Sequence, residues 1–292
     1  MSVIGRFAPS PTGPLHFGSV VAAVASYMQT KSQLGKWLVR MDDIDTPRNQ
    51  DGADTSILKS LELLGLHWDG DVLFQTHRQQ AYLEALDILT EKKLVYRCTC
   101  TRKQLQGEAY PGTCRHQTHG TDQQHALRII TNQSATEFND LLQDHFQQVL
   151  ETEIGDFIVY RADGLVAYHI ATVVDDAWQG ITEIVRGADL LDSTPRQIYL
   201  QQTLNYPTPS YAHLPVAVDK HGDKLSKQQH ADPVDDSQPL LTLFSALEFL
   251  GQHPNKILLD GSVEEIIQWG IKHWSMNEIP KQASLEYKPI SS

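Results

Sequence analysis

Residues 6–18 form the stretch of this chain whose residue types best suit chemistry. The segment Arg6-Phe-Ala-Pro-Ser-Pro-Thr-Gly-Pro-Leu-His-Phe-Gly18 holds three prolines, two glycines and one histidine, between a short apolar run and a long alanine-rich run. A helix that begins after a rigid loop presents unpaired N–H groups and the positive end of its dipole. We therefore predict an anion site at this helix start, formed by His16, Gly18 and Ser19.

A second loop, Asp223-Lys-Leu-Ser-Lys-Gln228, carries two lysines just after a predicted strand. Taken alone, such a loop is most often a solvated surface. In an α/β domain, however, loops after the first and last strands can meet at one nucleotide across the switch point of the sheet. We therefore predict that Lys224 and Lys227 bind the same phosphates as His16. The chain has neither a Walker loop nor a Gly-x-Gly-x-x-Gly fingerprint, which disfavours common NTPases and dinucleotide oxidoreductases.

The three cysteines of the chain, Cys98, Cys100 and Cys114, all fall within one window of 17 residues. Three thiolates suit a tetrahedral Zn²⁺ ion, whereas reduced structural thiols are the alternative. The fourth ligand could be Tyr110, His116 or His119, and ligand chemistry alone favours a histidine because a tyrosine must first lose a proton of pKa near 10. The metal is expected to be structural, with one ion per chain, because the window lies apart from both nucleotide loops.

The elements around these residues alternate between strand and helix. The pattern predicts a strand over 3–7, a helix over 19–33 with Ser19 as its N-cap, and a buried strand over 37–41 that runs into Asp42. Such alternation predicts a doubly wound, parallel α/β sheet of the Rossmann type.

The same patterns predict four segments. Residues 1–95 form the first half of the catalytic domain, and residues 96–156 a zinc-bearing insertion whose end, 137–156, is loosely amphipathic. Residues 157–238 form the second half with the lysine loop, and residues 239–292 a small helical C-terminal part whose tail after Pro280 is irregular.

Composition limits the class of protein. The chain has 292 residues, 40% of them hydrophobic and 21% charged, as in an ordinary globular enzyme. A net charge of −12 argues against a protein that coats nucleic acid indiscriminately, although a local basic groove stays compatible with it. No apolar run is long enough to span a membrane, the first residues do not resemble a secretion leader, and three cysteines do not make a disulfide framework. We therefore expect a cytoplasmic protein.

The two loops together resemble the nucleotide signatures of class I aminoacyl-tRNA synthetases: Pro14-Leu-His-Phe-Gly18 is similar to the HIGH element and Lys224-Leu-Ser-Lys-Gln228 to the KMSKS element. The flanking residues resemble the glutamyl-tRNA synthetase catalytic domain, in sequence and in order, from Gly5 to about Ala231. They are Arg6-Phe-Ala-Pro-Ser-Pro-Thr-Gly13, Val39-Arg-Met-Asp-Asp-Ile-Asp45, Tyr168-His-Ile-Ala171, Val173-Val-Asp-Asp176 and Ile184-Val-Arg-Gly187.

Only 65 residues follow Lys227, fewer than an anticodon-binding region needs. This length, the Cys98-Thr-Cys-Thr-Arg102 run and the pattern at 224–231 resemble the short paralogues that attach glutamate to the queuosine base at the wobble position of tRNA(Asp). The resemblance implies a monomeric ligase that uses L-glutamate and ATP with Mg²⁺ and binds the anticodon stem-loop of queuosine-containing tRNA(Asp).

The resemblance also implies roles for single residues. His16 and Lys227 would be catalytic, and ATP would be bound by His16, Gly18, Ser19, Lys224 and Lys227. Glutamate would be bound by Arg6, Ala8, Ser10, Asp42, Tyr168 and Arg186. Tyr110 would be the fourth zinc ligand beside Cys98, Cys100 and Cys114.

One position departs from the family, which has glutamate where this chain has Asp42, the acid expected to hold the substrate ammonium. Either the strand lies closer to the substrate, or a water fills the gap, or Asp42 is less central here. Two other functions stay open: transfer of glutamate to a tRNA 3′ end or a small acceptor, and a silent paralogue that binds glutamate or tRNA. Asp42 and Gln228 are the only departures that favour the silent paralogue.

Overall fold

A computed structural model describes residues 2–105, 109–117, 124–225 and 234–288. Lys227, Gln228 and His119, three residues singled out from the sequence, lie outside the described residues. None of the helices in the described ranges has the length and apolar character needed to cross a bilayer.

The N-terminal half is built on a parallel sheet with strand order β1-β2-β3. Between and after its strands lie helices that bury apolar faces. These elements are β1 (Ile4–Phe7), α1 (Phe17–Ser32), β2 (Lys36–Met41), α2 (Ala53–Leu63), β3 (Leu73–Phe74) and α3 (Gln79–Glu91). Because parallel strands end at one edge, the loop after β1 and Asp42 after β2 come together there.

Helix α1 begins two residues earlier than expected, at Phe17, and its N-cap is His16 rather than Ser19. His16 has an extended backbone, and its Nδ1 accepts a hydrogen bond from the Ser19 N–H at 3.2 Å. The N-cap prediction was therefore wrong. A histidine is not among the usual capping residues, and here its ring reaches back over the first turn.

A second sheet follows the order β7-β6-β10-β9, in which only β7 runs antiparallel. Its strands are β6 (Ala135–Asp140), β7 (Asp144–Val149), β9 (Glu183–Gly187) and β10 (Ser210–Leu214). Residues 137–156, interpreted above as an amphipathic end of the insertion, thus supply a hairpin to the main fold. Tyr211 pairs with Asp140 across β10 and β6, a partnership that the local pattern does not reveal.

The sheets join where Thr182, just before β9, exchanges hydrogen bonds with Ile4 at the start of β1. The Thr182 N–H donates to the Ile4 carbonyl at 2.9 Å, and the Ile4 N–H donates to Thr182 Oγ1 at 2.9 Å. This contact places Arg6 on β1 beside Arg186 on β9.

A third sheet is antiparallel, with order β4-β5-β8, and carries the cysteine cluster. It consists of β4 (Val95–Cys98), β5 (Ala126–Ile129) and β8 (Phe157–Tyr160), with the short helices α4 (Arg102–Leu105) and α5 (Leu150–Glu153) nearby. The boundary at 156/157 therefore does not coincide with the end of this sheet, because β8 pairs with β5. Alternation alone shows that 157–160 is extended, not which strand it joins. The four-segment division stays an interpretation.

The remaining helices cover the sheets. They are α6 (Tyr168–Trp178), α7 (Thr194–Leu204), α8 (Pro239–Phe249) and α9 (Val263–His273). Helices α8 and α9 pack on α1, and their buried side chains belong to one hydrophobic core with α1 and β2. The tail after Pro280 is not wholly irregular: β12 (Ser284–Glu286) pairs in parallel with β11 (Val216–Val218), just before the lysine loop.

Candidate active site and metal centre

The proline-rich loop of residues 6–18 and the lysine loop meet at the start of α1. A Cβ built on Gly18 would lie 3.2 Å from His16 Nδ1 and 3.4 Å from the Leu225 carbonyl oxygen, so a side chain at this position would require small shifts of its neighbours. The first turn of α1 has no acidic side chain to oppose an anion. The helix start, His16 and the lysine loop therefore face one space.

That space is a cavity of about 430 Å³. Its wall includes residues from β1, β2, α1, α6, β9 and the lysine loop. Those singled out from the sequence are Arg6, Ala8, Ser10, His16, Gly18, Ser19, Asp42, Tyr168, Arg186 and Lys224. The structure thus brings together every predicted substrate-binding side chain except Lys227, which lies outside the described residues. Lys224 Nζ is 2.6 Å from Asp189 Oδ2, across the cavity rim.

Arg6 is buried on β1, where it is held by an acid 170 residues away. Its Nε and Nη2 donate to the two carboxylate oxygens of Asp176 at 3.1 and 3.3 Å. Burial opposes ionisation of Asp176, but the Arg6 and Arg40 guanidinium groups outweigh it and lower its pKa. The carboxylate therefore fixes the Arg6 guanidinium at the cavity wall.

Arg186 is fixed along one edge and open at the other. Nε donates to His213 Nε2 at 3.1 Å and Nη2 donates to Thr194 Oγ1 at 2.7 Å. Nη1 is buried and has no hydrogen-bond partner among the described residues. A buried donor without a partner is rare and costly, so a cavity wall that holds one suits an anionic ligand such as a carboxylate.

Asp42 lies at the end of β2 with one oxygen already engaged. Arg40 Nε donates to Asp42 Oδ1 at 2.7 Å, and both side chains are buried. Burial raises the pKa of Asp42 to about 6, and Arg40 opposes the shift. Arg40 was not among the residues predicted from the sequence. The period of two along a strand places residues 40 and 42 on the same face, which could have revealed it.

A buried network of charges supports this wall. Asp175 accepts from Arg78 Nε at 2.6 Å, from the Tyr82 hydroxyl at 2.7 Å and from Gln75 Nε2 at 3.1 Å. Arg40 Nη1 donates to Asp176 at 2.7 Å. These aspartates are fully occupied by partners, as expected of network residues rather than of acids in a reaction.

A second cavity, of about 750 Å³, adjoins the first. Ser10, Asp42 and Tyr168 line both, and Tyr110 and Arg128 of the cysteine region line the far side. Two buried polar atoms on residues of its wall, His169 Nδ1 and Arg196 Nε, have no partner among the described residues. The wall of the second cavity thus combines residues of the predicted glutamate site with residues of the cysteine region.

The three cysteine Sγ atoms lie within 4.8 Å of one another, and none is in a disulfide. Tyr110 joins them: its hydroxyl is 3.4 Å from Cys98 Sγ and 3.9 Å from Cys100 Sγ. Three thiol groups and a phenol oxygen that converge in this way fit a tetrahedral Zn²⁺ ion. His116 is exposed and does not belong to the cluster, and His119 lies outside the described residues.

The contacts around Tyr110 bear on the free energy needed to deprotonate a tyrosine so that it can bind a metal. Burial raises the pKa of the Tyr110 hydroxyl, and it raises that of Cys100 to about 11. A bound divalent ion would instead lower these pKa values, because its charge favours deprotonated ligands. The Cys114 N–H donates to the Tyr110 oxygen at 2.9 Å, Arg128 Nε donates to Cys98 Sγ at 3.2 Å, and the Arg128 guanidinium lies 3.8 Å from the centre of the Tyr110 ring. Each contact stabilises negative charge on a ligand.

The family model for the catalytic domain of class I tRNA synthetases (E and Q) matches residues 2–257. The chain belongs to the class I (E and Q) synthetase family. Relatives from Dechloromonas aromatica (strain RCB) and Shigella flexneri, both named Glutamyl-Q tRNA(Asp) synthetase, are each 50% identical to it. The alignments cover 96% of this chain in both cases, and 96% and 91% of the relatives. The resemblance found in the sequence is thereby confirmed.

Solved structures confirm the class I fold. A glutamate tRNA ligase from Elizabethkingia meningosepticum CCUG26117, in complex with its amino acid, superposes with a TM-score of 0.83 at 23% identity. The match covers 99% of this chain and 68% of that protein. The chain is thus a class I synthetase-type ligase with an α/β fold, parallel sheets and a three-cysteine cluster.

Proposed function

We propose that this class I synthetase activates L-glutamate with ATP and transfers it to the queuosine base of tRNA(Asp). One observation carries the first half: a single cavity is lined by the helix start, His16, Lys224, two buried arginines and the acids Asp42 and Asp189. Ligation of glutamate to tRNA is the activity that the family match and the relatives' names share. The queuosine acceptor rests on those names.

Activation joins an oxygen of the α-carboxylate to the α-phosphorus of ATP and releases pyrophosphate. Because negative charge grows on phosphate oxygens, the site needs fixed donors rather than a nucleophilic side chain. The start of α1 at Gly18 and Ser19, with the His16 ring, would bind phosphate. Lys224 and Lys227 would follow the charge as it moves onto pyrophosphate.

Glutamate would be oriented by charge at its two ends. The open Nη1 of Arg186 and the Arg6 guanidinium suit its two carboxylates, and the second oxygen of Asp42 suits its ammonium. Ser10, Tyr168 and the backbone at Ala8 would complete the pocket. Because Arg40 already binds Asp42, the shorter acid would meet the ammonium with one oxygen.

Transfer then needs an acceptor hydroxyl at the glutamyl carbonyl carbon. The acceptor oxygen bonds to that carbon, the bond between the acyl carbon and the bridging oxygen of the mixed anhydride breaks, and AMP leaves with the electron pair while the hydroxyl proton is released. We infer that the second cavity admits the acceptor nucleoside, because Tyr168 and Asp42 line both cavities. Arg48, Arg161 and Arg196 in its wall would give an acidic chain a local surface for RNA phosphates.

The cysteine region would bind one structural Zn²⁺ through Cys98, Cys100, Cys114 and Tyr110. The ion would hold together a segment with few apolar side chains, and no step of the reaction is assigned to it. Mg²⁺ with ATP, a monomeric state and a cytoplasmic location remain predictions.

Two measurements test the function. Glutamate-dependent exchange between pyrophosphate and ATP should proceed without tRNA. Radiolabelled glutamate should then attach to tRNA(Asp) that contains queuosine and not to tRNA(Asp) from cells that cannot make it. Nuclease digestion should place the label in the anticodon fragment. Equal charging of both tRNAs, or label on the terminal ribose, would contradict the queuosine acceptor.

A further inference from the structure

Arg186 has an unusual set of partners for a substrate-binding arginine. Its Nε donates to an imidazole nitrogen, His213 Nε2, rather than to a carboxylate. Only a neutral histidine can accept this bond, because a protonated ring would turn an N–H toward the guanidinium. The contact therefore requires one tautomer of His213, with its proton on Nδ1.

The surroundings of His213 impose that tautomer. The side chain is fully buried on β10, and Nδ1 lies 2.6 Å from Asp140 Oδ2. Burial lowers the pKa of His213, Asp140 opposes the shift, and the Arg186 charge adds to it. The ring is thus neutral, with Nδ1 donating to Asp140 and Nε2 accepting from Arg186 Nε, while Thr194 Oγ1 lies 3.0 Å from the same nitrogen.

Asp140 is itself held in place by backbone hydrogen bonds. Its Oδ1 accepts from the backbone N–H groups of Leu142 at 3.0 Å, Gln143 at 2.9 Å and His213 at 3.0 Å. Asp140 is the last residue of β6, in the segment that was predicted from the sequence to belong to the insertion. It forms one end of the chain of contacts that runs from Asp140 through His213 to Arg186. Arg186 is buried at the other end and lines the cavity, and its Nη1 has no hydrogen-bond partner among the described residues.

We propose that Asp140 and His213 are positioning residues for the amino-acid substrate. They hold the Nε edge of Arg186 without neutralising its charge, so that Nη1 stays cationic and aimed at a carboxylate of the substrate. A carboxylate in the place of His213 would pair with the guanidinium and weaken its hold on an anion. This inference rests on the proposed glutamate activation.

The test uses the full chain and pyrophosphate exchange, with KM measured separately for glutamate and for ATP. His213→Phe keeps a ring of similar size and removes the polar contacts to Arg186, Thr194 and Asp140. His213→Gln keeps an acceptor near the Nε2 position. Asp140→Asn removes the charge at the end of the chain of contacts. Gln201→Leu is the matched control, because it removes a buried hydrogen bond to Tyr211, whose ring stacks on His213, and leaves the hydrogen bonds of Arg186, His213 and Asp140 in place.

We expect His213→Phe to raise the KM for glutamate about tenfold or more, with the KM for ATP within about twofold of wild type. His213→Gln should recover most of the loss. Gln201→Leu should lower the melting temperature without changing either KM. If His213→Phe does not fold, Asp140→Asn decides, with an expected rise of about threefold in the KM for glutamate alone.

An unchanged KM for glutamate in folded His213→Phe, or in Asp140→Asn if the first variant fails to fold, would overturn the inference. So would a loss in Gln201→Leu that matches that of the His213 variant, because it would show a general effect of stability. A wild-type chain without glutamate-dependent exchange would instead contradict the proposed function, and this inference with it.

Discussion

Arg40 Nε lies 2.7 Å from Asp42 Oδ1, and Arg40 Nη1 lies 2.7 Å from Asp176 Oδ1. Asp176 in turn binds Arg6, so the acid proposed for the substrate ammonium and an arginine proposed for a carboxylate share one buried network of charges. The network compensates charges that would otherwise be expensive to bury. Changes of protonation at Asp42 should therefore appear directly in substrate binding.

The KM for glutamate should rise as pH falls through about 6. Burial raises the pKa of Asp42 to about 6, and only the ionised form attracts an ammonium, so each pH unit well below that value removes about nine tenths of the competent form. Initial rates of pyrophosphate exchange between pH 5 and 8 measure this. Asp42→Asn should have a high KM that does not vary with pH, and a wild-type KM that is flat over the range would refute the prediction.

Gly18→Ala should impair ATP binding selectively. The added methyl group would press on His16 Nδ1 at 3.2 Å and on the Leu225 carbonyl at 3.4 Å, which separates the two loops. We expect the KM for ATP to rise about tenfold, with the KM for glutamate little changed. Gly70→Ala is the control, because it strains a backbone with φ of +72° in open space and should cost stability alone. Similar KM values for ATP in both variants would show that the loops do not need this contact.

Tyr110→Phe and His116→Ala should separate the candidate zinc ligands. Wild-type protein should hold about one zinc per chain by elemental analysis. Loss of the phenol oxygen, which lies 3.4 Å from Cys98 Sγ, should weaken zinc at least about tenfold against a competing chelator and lower the melting temperature. His116→Ala should leave both unchanged, since that side chain is exposed. The reverse result would assign the fourth position to the histidine.

Arg128→Gln should weaken zinc although Arg128 is not a ligand. Its guanidinium donates to Cys98 Sγ and lies over the Tyr110 ring, so its loss leaves an anionic ligand set without a compensating charge. Partners of this kind are worth about 10–100-fold in metal affinity. Chelator competition measures the change, with the exposed Lys103→Gln as control. Equal zinc release from both variants would leave Arg128 with a packing role only.

Lys227→Ala should abolish adenylate formation while glutamate still binds. The lysine is proposed to stabilise transition-state charge on the phosphates, whereas the variant keeps Arg6, Arg186 and Asp42, which are proposed to orient glutamate. Pyrophosphate exchange and calorimetric titration of glutamate measure the two effects. Lys220→Ala, in an exposed turn before the loop, serves as the comparison. Residual exchange close to wild type would exclude the catalytic role of Lys227.

Local patterns in the sequence were sufficient to single out most of the predicted site residues that the structure brings together in one cavity and one cysteine cluster. Three short segments have residue types that directly indicate a chemical role. They are the proline-rich loop before α1, the lysine loop and the cysteine window. The residues of each segment act within a few positions of each other, so the sequence alone shows where a rigid loop or a set of soft metal ligands occurs. The alternation of strands and helices likewise predicted the α/β fold and its parallel sheets.

Tertiary structure decided the partners of those residues. Asp140 and His213 are 73 residues apart, and Arg6 and Asp176 are 170 apart, so no local pattern connects them. The pairing of β6 with β10 and the capping of α1 by His16 likewise depend on which surfaces pack together. A strand's alternation shows which of its faces is buried, but the choice of a neighbouring strand comes from the packing of the whole core. The sequence by itself therefore determined which groups are available for chemistry, and the packed fold alone determined which charges meet.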